Sequence, residues 1–147
     1  MKLKSLTRKQ LAVVIVLAAA LLALLVLLCS GNGILSAHYN VVTTEGRVNY
    51  LAALGWEADA ASETVQEITL PREFDGVFAD YNALQRQQGF DLAPYAGLPC
   101  TIYTYRVTNY GGDDTVLAQL YLYRNRIIAG DIHSTALDGF MHGIIRK

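Results

Sequence analysis

Chemistry that depends on cysteine has little to work with in this chain, which carries two cysteines among 147 residues. Cys29 and Cys100 lie far apart, so neither a disulfide framework nor a zinc-ligand cluster can be built from them. Cys100 then reads as a small, buried apolar residue. Histidines number three, and no zinc-protease motif joins them. A glycine-rich phosphate loop and a hydrolase nucleophile elbow are also missing, which removes the common routes to nucleotide chemistry and acyl transfer. No cofactor is implied. Internal repeats and low-complexity runs are absent, so the chain has the length of one folded core rather than an array.

Charge is missing altogether from Leu11 to Cys29, as are proline and glycine. Nineteen such residues rise about 28 Å as a helix, close to the thickness of the hydrocarbon core. Lys2, Lys4, Arg8 and Lys9 precede the stretch with no acid among them, which predicts a cytoplasmic N-terminus and an exported remainder. A cleaved signal peptide is the main competitor, but its apolar core is shorter, and Leu35 stands two before Ala37 where a small residue is wanted. A lipid on Cys29 would call for a small residue just before it, and Leu27 and Leu28 are there instead. The expected plan is a cytoplasmic basic segment at 1–10, a transmembrane helix at 11–29, a stalk at 30–40 and an extracytoplasmic domain at 41–147. Without the four N-terminal bases, eight Lys and Arg face thirteen acids, leaving about −5 outside the membrane. That balance argues against nucleic acid as a partner.

Thr44 is expected to cap a first helix in which Val48, Leu51 and Leu54 recur at helical spacing, with Gly55 ending it and Trp56 packing back. Glu63 to Leu70 reads as a strand closed by Pro71. A second helix presents Phe74, Val77, Phe78, Tyr81 and Leu84 as its apolar stripe, turns Asp75, Asp80, Gln85 and Gln87 outward, and stops at Gly89. A loop from Phe90 to Pro99 leads into an antiparallel meander of Thr101 to Val107, Thr115 to Tyr123 and Ile127 to Ile132. Its turns are the run from Asn109 to Asp114 and the pair Arg124-Asn125. Val116, Ala118, Leu120 and Leu122 share the core face of the middle strand. The predicted fold class is α+β, in the order helix, strand, helix and three strands. Two helices pack on an antiparallel sheet of about four strands, and a tail from Ser134 to Lys147 holds a helical turn.

Tyr81-Asn82-Ala83-Leu84-Gln85, Gln88-Gly89-Phe90-Asp91-Leu92, Tyr95-Ala96-Gly97, the run from Tyr103 to Tyr110, Gly130-Asp131 and Leu137-Asp138-Gly139-Phe140-Met141 together resemble a family of small exported bacterial domains. That family is the domain of unknown function numbered forty-eight thirty, and the resemblance spans roughly Arg47 to Gly143. It implies an anchored topology on a Gram-positive surface and assigns no activity, ligand or catalytic residue. Leu98 and His133 depart from the family's pattern, which often has lysine and cysteine there.

Three polar or aromatic sets are candidates for function. Asp131 and His133 share one face of the last predicted strand, where they can bind a metal or where the carboxylate can orient the imidazole. Asp138, Ser134 and His142 lie near them in sequence, while His38 falls in the stalk. Asn82, Gln85, Gln88 and Asp91 surround the end of the second helix and can recognise a peptide or glycan, or bridge the helix to the next loop. Tyr103, Tyr105, Tyr121 and Tyr123 on adjacent strands can form an aromatic platform, or simply stabilise the sheet as cross-strand pairs. These features point first to a non-enzymatic module that binds an envelope protein or a cell-wall component. The alternatives are a metal-assisted hydrolase using Asp131 and His133, and a membrane-proximal regulator of a kinase or transporter.

Overall fold

A computed structural model of the chain describes residues 17–21, 39–112 and 115–146. The chain divides into two units, Met1–Gly31 and Asn32–Lys147, and of the first the described residues 17–21 are helical. The rest of the expected span from Leu11 to Cys29, the basic segment before it, and His38 with most of the stalk lie outside the described residues. Among those described, no helix is long and apolar enough to cross a membrane.

The second unit opens on helix α1, Thr44–Ala53. Its cap is Thr43, one residue earlier than expected, because the Thr43 hydroxyl accepts from the Gly46 N–H at 3.1 Å. Thr44 is the first helical residue, and its hydroxyl turns to Glu63 instead. Gly55, at φ 89°, lets the chain leave the helix, and Trp56 packs back into the core with its indole N–H donating to the Ile144 carbonyl.

Strand β1 runs over Ala58–Thr69, starting earlier than Glu63, with a register irregularity between Asp59 and Thr64. Helix α2 covers Gly76–Gln87, and a single 3-10 turn, Ala93–Tyr95, sits in the following loop. Strands β2 (Pro99–Val107), β3 (Val116–Tyr123) and β4 (Arg126–Ser134) then form the expected meander. Arg124, at φ 54°, makes the tight turn between the last two. The sheet has five strands rather than about four. Its order is β1-β2-β3-β4-β5, antiparallel throughout, because the tail forms strand β5, Met141–Gly143, on the edge of β4 instead of a helical turn.

The two helices serve opposite faces of this sheet. Under α1 lie Val116, Ala118, Leu120 and Leu122, the predicted core face of β3, joined by Tyr50, Leu51, Trp56, Tyr105, Ile127 and Ile132. On the other face Leu70, Leu92, Cys100, Ile128 and Ala129 form a second core, covered by Phe74, Phe78 and Tyr81. The α2 stripe is therefore rotated from the expected one. Val77 is 87% exposed, whereas Gln85, expected to face outward, is completely buried.

Candidate functional site

The Gln85 rotation has its cause at the sheet edge. Strand β5 pairs with β4 from Asp131 to His133, so the Gly130 backbone just beyond has no strand neighbour on that side. Gln85 Oε1 accepts the Gly130 N–H at 3.0 Å, and Gln88 Nε2 donates to the Gly130 carbonyl at 3.0 Å and to Gln85 Oε1 at 3.1 Å. Gln88 Oε1 also accepts from the Ile145 N–H. Two side-chain amides thus continue the ladder where the strand stops, satisfying groups that are costly to leave unpaired.

Asn82 and Asp91 are similarly occupied. Asn82 Oδ1 accepts from the Leu92 N–H at 2.8 Å, and its amide donates to Asp91, which also accepts from Ala93 N–H and Arg86. The four polar residues around the end of α2 therefore join the helix to its loop and to β4. The structural reading accounts for these contacts.

The four tyrosines do not make one platform, because the register places them on opposite faces. Tyr103 pairs with Leu120 and Tyr105 with Ala118, under α1, whereas Tyr121 pairs with Ile102 and lies with Tyr123 under α2. Tyr105 is buried and bonded to Arg47, whose guanidinium also lies 3.6 Å from the centre of the Tyr103 ring. Sequence reasoning missed Arg47. It is 3% exposed and donates to the Val41 and Val42 carbonyls, to Tyr105 and to Glu63, tying the entry of α1 to β1 and β2.

Asp131 and His133 are brought together as expected, with a third partner. The completely buried Asp131 takes a hydrogen bond from Tyr81 on Oδ2 at 2.6 Å, and its Oδ1 is 2.8 Å from His133 Nδ1. A carboxylate accepts, so Nδ1 carries the hydrogen between them, and in the neutral form of the ring Nε2 is the lone-pair nitrogen. Burial, followed by the Asp131 charge, drives the Tyr81 hydroxyl well above its ordinary pKa, and the same two causes push Tyr121 up to about 12. Both phenols stay protonated as donors at neutral pH. For a metal, this arrangement faces inward: both Asp131 oxygens are engaged by protein groups. Among the described residues no three His, Cys, Asp or Glu side chains gather as ligands. The other residues named with this pair go elsewhere. Ser134 Oγ accepts from Ala136 N–H, Asp138 is exposed, and His142 meets the Tyr110 hydroxyl at 3.0 Å.

Beyond α2 the same sheet face is open. A concavity of about 460 Å³ lies over the ends of β1, β2 and β3, with Ser62, Thr64, Thr104 and Thr115 around it and Leu117 in its floor. Arg106 and Asp59 form its rim and pair at 2.7 Å. Register carries the surface on to β4, because Leu117 lies opposite His133 and Gln119 opposite Asp131. Another groove, of about 380 Å³, runs between the last turn of α2 and the C-terminal strand, with Leu84 and Gln87 on one wall and His142 and Ile145 on the other.

Fold and surface define a small α+β domain, one antiparallel sheet with a helix on each face and an open polar sheet end. A family model described as Domain of unknown function (DUF4830) matches residues 50–132, and the chain belongs to that family. The match includes Asp131 and ends just before His133. No curated protein and no solved structure matches the chain.

Proposed function

We propose that this chain is a membrane-anchored, extracytoplasmic binding module of a Gram-positive bacterium, non-enzymatic, and that it holds an envelope protein or a cell-wall component at the open end of its sheet. One observation carries the reading. The sheet face that α2 leaves uncovered is concave and lined by the threonines Thr64, Thr104 and Thr115, while the polar residues around the end of α2 are tied by hydrogen bonds to their own loop and to β4. The anchored topology is supported by the uncharged stretch from Leu11 to Cys29 and by the bases before it.

Photocrosslinking side chains at Thr104 of the full chain, in cells, should give adducts to one envelope partner or to wall fragments. A second substitution, Leu117→Arg, should block the floor and abolish them, and a probe on the outward-facing Val77 should give none. Adducts that persist in the blocked variant would place the partner elsewhere. Intact mass of the membrane-fraction protein tests the anchor separately, since a chain beginning near His38 would mean that the segment is removed.

A further inference from the structure

The ligand class follows from what the open concavity offers. Its charges, Arg106 and Asp59, neutralise each other, so among the described residues of that wall no unpaired charge selects an ion. The Ser62 hydroxyl is engaged with the Asp59 carbonyl and the Arg106 N–H, so what remains is the threonines Thr64, Thr104 and Thr115, the Gln119 amide beside them and the apolar Leu117. Neutral donors and acceptors around a small apolar patch match a pyranose ring, which has hydroxyls at its edge and C–H groups on its face.

His133 gives this surface its one preset direction. The side chain is 19% exposed, on the strand next to Leu117, and its Nδ1 is held by a carboxylate that is itself completely buried and anchored by Tyr81. With the hydrogen held on Nδ1, Nε2 of the neutral ring is the acceptor, the complement of a sugar hydroxyl. We propose that Tyr81, Asp131 and His133 form a relay that presents His133 Nε2 to a neutral saccharide bound at the open end of the sheet. His133 contacts the ligand, while Asp131 is a positioning residue that sets its tautomer. The inference rests on the binding-module reading and narrows it to one ligand class.

The test uses the purified full chain in detergent micelles, titrated with an N-acetylglucosamine oligosaccharide and, in parallel, with a neutral Gly/Ser/Thr peptide, while nitrogen spectra of the histidine rings are recorded. The native chain should show the Nδ1–H tautomer at His133 and bind the saccharide saturably, with a shift at Nε2. His133→Phe should weaken binding about tenfold, the scale of one lost hydrogen bond. Asp131→Asn can donate to Nδ1, so it should convert His133 to the Nε2–H tautomer and weaken binding similarly. Tyr81→Phe takes away the donor to Asp131 Oδ2 and should weaken binding in the same direction but by less, whereas Val77→Ala, on the outward side of α2, should bind within about twofold of the native chain. If Asp131→Asn does not fold, the His133→Phe substitution, at a partly exposed position, still decides. Equal saccharide binding by native and His133→Phe chains overturns the proposal. Peptide binding that needs His133, without saccharide binding, overturns the ligand class but leaves the binding module standing. No binding of either probe, together with no adducts from Thr104, removes both.

Discussion

Arg47 shows how much one side chain decides. Its guanidinium satisfies two backbone carbonyls, the Tyr105 hydroxyl and the Glu63 carboxylate, in a site 3% exposed. Replacing it with Met keeps the stem but strands those acceptors, and Arg47→Met should cost about 3 kcal/mol in urea unfolding, as for a broken buried pair. Glu63 adds a pH signature. Burial opposes its charge, but the hydrogen bonds from Tyr105 and Arg47 outweigh burial, so its pKa is lowered from the ordinary 4.5. A lowered folded pKa gives stability that is complete above the ordinary value and lost as pH falls through the folded one. The native chain should therefore lose stability more steeply below pH 4.5 than Glu63→Gln, and parallel acid unfolding curves would refute this. None of this was legible in the sequence. Arg47, Glu63 and Tyr105 are far apart along the chain, and nothing local marks a buried cation.

At the scale of elements, what is legible is what is local. β3 alternates strictly between buried and half-buried positions, as its sequence does, and the Arg124-Asn125 turn sets its hairpin with β4. Strand β5 has no comparable signal in Met141-His142-Gly143; it exists because the edge of β4 needs partners. The inward turn of Gln85 was illegible for the same reason, since the Gly130 backbone lies 45 residues away. Hydrophobic periodicity alone put Val77 inside and Gln85 outside, and a backbone hydrogen bond reversed both. Gln85→Leu should therefore destabilise the domain by about 1–3 kcal/mol despite its greater apolarity, because the Gly130 N–H loses its acceptor. Gly143→Ala tests the same joint from the strand, as a Cβ there would come within 2.5 Å of the Gln88 side chain. A Tm for either variant equal to the native value would show that the amides do not hold α2 to the edge. The tyrosine platform failed at this scale too, because adjacency of strands does not reveal on which face a residue lies until the register is known.

The unit from Asn32 to Lys147 is two cores separated by one sheet, and each core carries its own reporter. Trp56, the sole tryptophan, is buried in the core under α1, and Cys100 is buried in the core under α2. Burial pushes the Cys100 thiol up to about 11, so in the native state it is both covered and protonated, and alkylation at pH 8 requires the α2 layer to open. In a Cys29→Ser background Cys100 is the single thiol. Neither layer has a sheet of its own: Tyr105 and Ile132 point into one core, while Cys100 and Ala129 point into the other from the same strands. Losing α2 would uncover one face of strands whose other face packs against α1, so the two cores should fail together. Trp56 fluorescence and Cys100 labelling are expected to give superimposable urea transitions, with one midpoint and one slope. Labelling that precedes the fluorescence change would mean that α2 detaches as a separate unit. In that case the sheet face beneath it, including Asp131 and its tie to Tyr81, would open without global unfolding.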